Sequence, residues 1–293
     1  MNEPGLMQAV VAGRKPDRSG KVRDLFFLGD SILLVTSDRI SAFDCVLPTL
    51  IPGKGRVLNT ISSFWFDHLA GIVPNHKITT DPSKYPSPFD GASAELEGRS
   101  MLVKRGDVFS YECVVRGYLA GSGWKDYRET GSVSGVDLPA GLVLSERLAK
   151  PIFTPSTKTD DGHDRPVSFE AMAEGLGRKR AAKLRDLSLD LFDSATRHAE
   201  ARGILLADTK FEFGVIDGTI HLVDEALSPD SSRFWKADRY RAGEPQESYD
   251  KQFVREYLLG IGWKGEKPAP ELPAGVVEAT IGRYREILQI LTS

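Results

Sequence analysis

GILLADTKFEFGVIDGTIHLVD, residues 203–224, decides how the chain is read. Its long apolar runs mark two strands, Gly203 to Phe213 and Thr219 to Asp224, folded back on each other about Asp217-Gly218. Asp and Gly tolerate the positive φ values that a tight hairpin demands. Acidic residues recur inside these strands, at Asp208, Glu212 and Asp224, and an uncompensated carboxylate is costly to bury. They need cations. A divalent ion bridging nucleotide phosphates commonly takes one or two protein carboxylates plus water, so Glu212 and Asp224 suffice as a pair. A two-residue loop at Asp217-Gly218 sets Glu212 opposite Val223 and Phe211 opposite Asp224, with the two carboxylates on different faces. A three-residue loop, Ile216 to Gly218, sets Lys210 opposite Asp224 and Glu212 opposite Leu222, with Lys210, Glu212 and Asp224 on one face. The metal reading therefore predicts the three-residue loop, or an equivalent bulge before Asp224, although the Asp-Gly pair taken locally favours the shorter turn.

Working outward, Leu184, Leu187, Leu191, Ala195 and His198 form one helical stripe that Gly203 ends, and further helices are predicted near Tyr249 to Leu259 and Val276 to Leu291. Pro-rich and Gly-rich connectors fill Lys264 to Gly275. Toward the N-terminus, Leu25 to Leu28 and Ser31 to Thr36 read as an antiparallel pair turning at Gly29-Asp30. A helix follows, with Ile61, Phe64, Trp65, His68 and Leu69 on its apolar face and Gly71 and Pro74 at its end. Asp81 to Gly98 reads as a loop, and Ser100 to Lys104 and Tyr111 to Leu119 read as strands completing a small sheet-rich lobe. The resulting division is a β-rich lobe over residues 1–110 and a larger α+β lobe with C-terminal helices over 111–293.

Composition narrows the function. With 293 residues, 41% of them hydrophobic, the chain can bury a substantial core. No apolar run approaches the roughly 20 residues that cross a bilayer, and the N-terminus carries no signal-like pattern, so a cytoplasmic protein is expected. The net charge of −3 gives no global attraction to nucleic acid or anionic lipid, so any anion binding is local. Cys45 and Cys113 stand alone without CxxC spacing, and His68, His76, His198 and His221 lack HExxH spacing, which argues against a disulfide framework or a zinc site.

Four other segments carry candidate chemistry. GKVRD, Gly20 to Asp24, joins a glycine to two cations before a strand and suits an anionic group, although it fails the P-loop pattern and a solvated turn is the alternative. SDRISAFD, Ser37 to Asp44, leads to Lys54 at a helix start, where exposed amides favour anions; ordinary turn residues are the alternative for Asp38, Arg39 and Asp44. ECVVRGYLAGSGWKDY, Glu112 to Tyr127, runs a strand bearing Arg116 into a Gly/Ser-rich bend, which fits a phosphate monoester held by Arg116 and Ser122, with a surface arginine beside a tight turn as the alternative; the GxSxG spacing of a hydrolase elbow is missing. PIFTPSTK, Pro151 to Lys158, with the following stretch to His163-Asp164, is polar and proline-stiffened, like a functional loop or an exposed linker, and His163 is a candidate general base, with a solvated loop histidine as the alternative.

These segments, with DTKFEFG at Asp208 to Gly214 and VDEALSPDSSRFW at Val223 to Trp235, resemble the SAICAR synthase family in order along residues 20 to 257. The resemblance implies a two-lobed, kinase-like α+β fold with ATP bound between the lobes, and a longer single-chain form that is monomeric. It implies an ATP-dependent ligase of purine synthesis, joining carboxyaminoimidazole ribonucleotide to L-aspartate through an acyl phosphate, with Mg²⁺ as cofactor and no nucleic-acid or membrane partner. By position, Lys21, Arg23, Lys104, Asp107 and Val108 resemble the nucleotide-side residues, and Glu212 and Asp224 the Mg²⁺ ligands. Arg116, Ser122, Arg233, Lys158, Asp38 and Ser41 resemble substrate-binding residues, and Lys210, Asp208 and Lys54 catalytic ones. Ala226-Leu227 departs from the family pattern after Asp224. A metabolite kinase, which lacks the ligation step, and a nucleotide-sensing binding protein are the competing readings; the latter leaves Arg116, Ser122 and Arg233 unexplained.

Overall fold

Two antiparallel sheets face each other in the computed structural model, which describes residues 4–90, 95–158 and 165–293; His163 lies outside them. The first sheet is built on β1 (Arg23–Leu28) and β2 (Ser31–Thr36), joined at Gly29-Asp30 with Gly29 at φ 68°. Helix α1 (Lys54–His68) follows, and β3 (Ser100–Lys104) pairs with β2; Arg18–Ser19 and Lys77–Thr79 form the edges. Strand alternation sorts the apolar residues of this sheet. Phe26, Leu33 and Val35 pack with Tyr85, Phe89 and Leu96 beneath one face, while Leu25, Ile32 and Leu34 turn toward the second sheet. Helix α1 closes against β2 because residue 55 is glycine: a Cβ there would meet the Thr36 carbonyl oxygen at 2.2 Å.

The second sheet holds eight strands. At its centre run β4 (Tyr111–Tyr118), which leads into helix α2 (Gly121–Thr130), and, after β5 (Arg147–Phe153) and helices α3 (Phe169–Leu176) and α4 (Arg178–Glu200), the long β6 (Ile204–Ile216). Strands β7 (Thr219–Val223) and β8 (Ser232–Lys236) pair with β6, and α5 (Gln252–Gly260) and α6 (Ala274–Thr292) end the chain. Leu184, Leu187, Leu191 and Ala195 of α4 are buried against the sheet as the stripe predicts, each leucine contributing about 1.5 to 3 kcal/mol by burial.

Three expectations need correction. The hairpin between β6 and β7 is the two-residue form: Ile216 pairs with Thr219, and Glu212 with Val223. Asp217 at φ 50° and Gly218 at φ 74° are both left-handed, the turn whose twist matches the flanking strands, so local turn chemistry prevails over the three-residue register. The Gly/Ser-rich bend after β4 is the first turn of a helix. Finally, the Tyr111 to Leu119 strand does not complete the first sheet but stands in the middle of the second, paired with β6.

Candidate active site

Two neighbouring cavities lie between the sheets and share part of their walls. The larger, of about 530 Å³, is walled at one end by Leu25, Ile32, Leu34, Val103 and Val108, and at the other by charged side chains. The smaller, of about 300 Å³, is mostly polar and includes Arg116, Ser122, Asp208, Arg233 and Arg255. Lys21, Ser41, Glu112, Lys210, Asp230 and Lys251 line both, and so mark the junction.

The charged end of the larger cavity is an alternating array. Arg23 donates to Asp224 at 2.7 Å, Lys158 to Glu212, and Lys210 to Glu112. Burial resists ionisation of Asp224, but Arg23, with Lys158 and Lys210, outweighs it and holds the carboxyl below the usual range. Glu212 goes the other way: burial, reinforced by the Asp224 charge, pushes it up to about 7 despite Lys210 and Lys158. Burial also disfavours the Lys210 ammonium, yet Glu112 and Glu212 overcome this and raise its pKa. Although the hairpin register separates them, Glu212 and Asp224 line one cavity. Asp224 lies just past β7 with φ 67°, and this left-handed backbone breaks the alternation that would have carried its carboxylate to the other face. The device is an αL residue, not a bulge.

In the smaller cavity a row of three charged residues crosses three strands. Asp208 of β6 stands opposite Arg116 of β4 on one side and Arg233 of β8 on the other. Its Oδ2 accepts from Arg116 at 3.1 Å and from Arg233 at 2.5 Å. A register shift between Leu206 and Asp208 against β8 brings the row into line. Arg116 also donates to Thr154 Oγ1 at 3.0 Å and Ser122 Oγ at 3.1 Å. The glycines beside Ser122 make room for both guanidiniums: a Cβ on Gly121, at φ 57°, would lie 2.4 Å from an Arg233 nitrogen, and one on Gly123 would lie 3.1 Å from Arg116 Cδ.

Of the residues predicted from sequence, Lys21, Arg23, Ser41, Lys104, Val108, Arg116, Ser122, Lys158, Asp208, Lys210, Glu212, Asp224 and Arg233 line these cavities. Three do not. Asp38 is fully buried, its carboxylate accepting from Leu6 N, from Gly55 N at the start of α1 and from Arg99, so it holds the helix end and the N-terminal segment together. Lys54 is fully buried, donating to Asp230 and the Arg39 carbonyl. Asp107 is exposed on a two-residue edge strand and lines neither cavity. Conversely, the cavities include Glu112, Asp230, Lys251, Arg255 and His76, which the sequence reading did not single out. Glu112, four residues before Arg116, was detectable by strand alternation; Lys251 and Arg255 stand one helical turn apart in a segment without a recognisable motif. Burial pushes His76 down to about 3, so it is neutral, and its buried Nε2 has no partner among the described residues.

The chain is similar to proteins of one family over nearly its whole length. The family model for SAICAR synthetase matches residues 17–271. A phosphoribosylaminoimidazole-succinocarboxamide synthase from Thermodesulfovibrio yellowstonii is 51% identical over 288 residues, covering 98% of this chain and 99% of the relative. The structure of the Saccharomyces cerevisiae SAICAR synthase complexed with SAICAR superposes with a TM-score of 0.86 at 37% identity, covering 100% of this chain and 98% of the yeast chain. A SAICAR synthetase in complex with ADP superposes with a TM-score of 0.69 at 26% identity, covering 94% and 97%.

Proposed function

Because this chain belongs to the SAICAR synthetase family, we propose a division of labour between its two cavities. The protein is an ATP-dependent ligase of purine biosynthesis that condenses carboxyaminoimidazole ribonucleotide with L-aspartate. The larger cavity takes ATP, its base against Leu25, Ile32, Leu34 and Val108 and its phosphates toward Lys21 and Arg23. The smaller takes the ribonucleotide, with Arg116, Ser122 and Arg233 on its phosphate. The observation that carries this reading is the junction: two anion-adapted cavities meet at Lys21, Lys210 and Lys251, where a γ-phosphate and a substrate carboxylate can be brought together. The lobes bearing the two halves of the ATP site are residues 1–110 and 111–293.

The chemistry sets what the junction must do. A carboxylate is a poor electrophile because attack on it must expel oxide. Transfer of the γ-phosphoryl group to a carboxylate oxygen gives an acyl phosphate; the aspartate amine then attacks the acyl carbon, and inorganic phosphate leaves. Both partners of the first step are anions, so the lysines act by offsetting their repulsion and fixing the line of approach. Lys210 is well adapted, since Glu112 and Glu212 keep it protonated while leaving its ammonium at the junction. Asp208 contributes by locking the fork of Arg116 and Arg233 in place.

Glu212 and Asp224 fit a magnesium ion: they are two oxygen donors on one cavity wall, and burial together with the neighbouring Asp224 charge raises Glu212 toward neutrality, a cost that a cation between them would offset. When bound, the ion would neutralise the nucleotide phosphates. Arg23 and Lys158 would then hold the outer sides of the two carboxylates. We further assign the protein as a cytoplasmic monomer; no helix among the described residues is long and apolar enough to cross a membrane. The test is a reaction containing ATP, Mg²⁺ and the ribonucleotide, run with and without aspartate and read by mass spectrometry. SAICAR formed only with aspartate, in step with ADP, supports the reading, and ADP with a stable phosphorylated metabolite in place of SAICAR would favour the metabolite kinase.

A further inference from the structure

We propose that Tyr284, on the C-terminal helix α6, is a positioning residue for the reaction: through Asp230 it sets the place of Lys251 at the junction of the two cavities. The inference rests on the functional reading above and concerns a part of the chain outside the matched family region, which ends at residue 271, whereas α6 spans Ala274–Thr292.

Asp230 gathers three donors from separate parts of the chain. Its Oδ2 accepts from Lys54 Nζ at 2.8 Å and from Lys251 Nζ at 3.0 Å, and its Oδ1 accepts from the Tyr284 hydroxyl at 2.9 Å. Of these donors only Lys251 lines the cavities; the Tyr284 ring is fully buried, and so is Lys54, which also donates to the Arg39 carbonyl at 3.0 Å. The carboxylate is therefore held by two fully buried groups and presents the third to the cavities. Among the described residues the only other side-chain hydrogen bond that Lys251 makes is a long one, to Ser41 Oγ at 3.4 Å. Burial, with the Asp230 charge beside it, keeps the Tyr284 phenol protonated, so it remains a donor across the working pH range. No other donor to Asp230 Oδ1 is present among the described residues, so loss of the hydroxyl leaves that oxygen bare. The carboxylate must then turn to share Lys54 and Lys251 between its two oxygens. Because Lys251 follows it, the ammonium shifts away from the junction.

Three variants of the full-length protein test this. Tyr284→Phe keeps the buried ring and removes only the hydroxyl; it should lower kcat on the order of tenfold while the KM values for ATP and ribonucleotide stay within about twofold. Ile287→Val, on the same helix and fully buried, loosens α6 without touching Asp230, and should leave kcat within about twofold even if its melting temperature falls further. Lys251→Ala should show the same kcat-selective loss, and adding Tyr284→Phe to it should change kcat by no more than about twofold, because the two act through one group. A Tyr284→Phe protein with wild-type kcat, an Ile287→Val protein with an equal loss, or a Lys251→Ala protein with undiminished kcat would each overturn the inference. A wild-type protein that makes no SAICAR would overturn the functional reading instead.

Discussion

Replacing Arg116 by lysine separates the ribonucleotide cavity from the ATP cavity. Arg116 uses its three nitrogens on three partners: Nε on Thr154, one terminal nitrogen on Asp208 and the other on Ser122. Lysine keeps the positive charge beside Asp208, so the buried carboxylate is not left uncompensated, but its single ammonium cannot reproduce the planar fork. The variant loses the hydrogen bonds to Thr154 and Ser122 and the two-pronged grip on the phosphate. A charge-assisted hydrogen bond contributes about 1.5 to 3 kcal/mol, which corresponds to a rise of about 10- to 150-fold in the KM for the ribonucleotide. The KM for ATP should stay within about twofold, since no Arg116 atom lines the larger cavity. Initial rates with each substrate varied in turn, followed by ADP release, measure both, and a melting curve checks the fold. Equal losses for ATP and ribonucleotide in a folded variant would refute the assignment of the Arg116 cavity.

Three further outcomes follow from the same geometry. Lys21→Ala should raise the KM for ATP with little change in melting temperature, because the side chain is 43% exposed in a glycine-led turn and away from any apolar stripe; a variant that unfolds would show Lys21 to be structural. Gly121→Ala should weaken ribonucleotide binding by displacing Arg233 and add about 1 to 2 kcal/mol of strain from its left-handed backbone, so ribonucleotide saturation curves that match the wild type would contradict the close packing. Asp38→Ala should cost about 1 to 3 kcal/mol of stability by taking the acceptor from the Leu6 and Gly55 amides and one partner from the buried Arg99, while surviving folded enzyme keeps its KM values; denaturant unfolding and steady-state kinetics distinguish this from a binding role.

Much of the fold was legible because it depends on local period and turn chemistry. The α4 stripe needed only leucine spacing, and the β1–β2 turn needed only a glycine. Arg116 and Ser122 could be singled out from their own segment, since glycines crowd the bend after Arg116, whereas Arg233 was indicated only by the family resemblance. What the sequence concealed depends on distance along the chain. Asp230 meets Lys54 across 176 residues and Tyr284 across 54, and none of the three carries a pattern that points to the others. Lys54 stands in a loop-to-helix signature typical of anion sites, yet tertiary packing takes its ammonium into the interior. The hairpin failed in an instructive way: the inference that Glu212 and Asp224 share a wall held while the register argued for it did not, because a single left-handed residue after β7 achieves what a shifted ladder would have done.

The cavity junction also has a thermodynamic consequence. Lys21, Lys210 and Lys251 line both cavities, so with the ligands placed as proposed the free energy of putting an anion in one cavity depends on whether the other is filled. By linkage the dependence is reciprocal: the factor by which ribonucleotide changes the affinity for ATP equals the factor by which ATP changes the affinity for ribonucleotide. On that placement the two substrates would communicate without any element of the fold having to move, through three ammonium groups that belong to neither cavity alone.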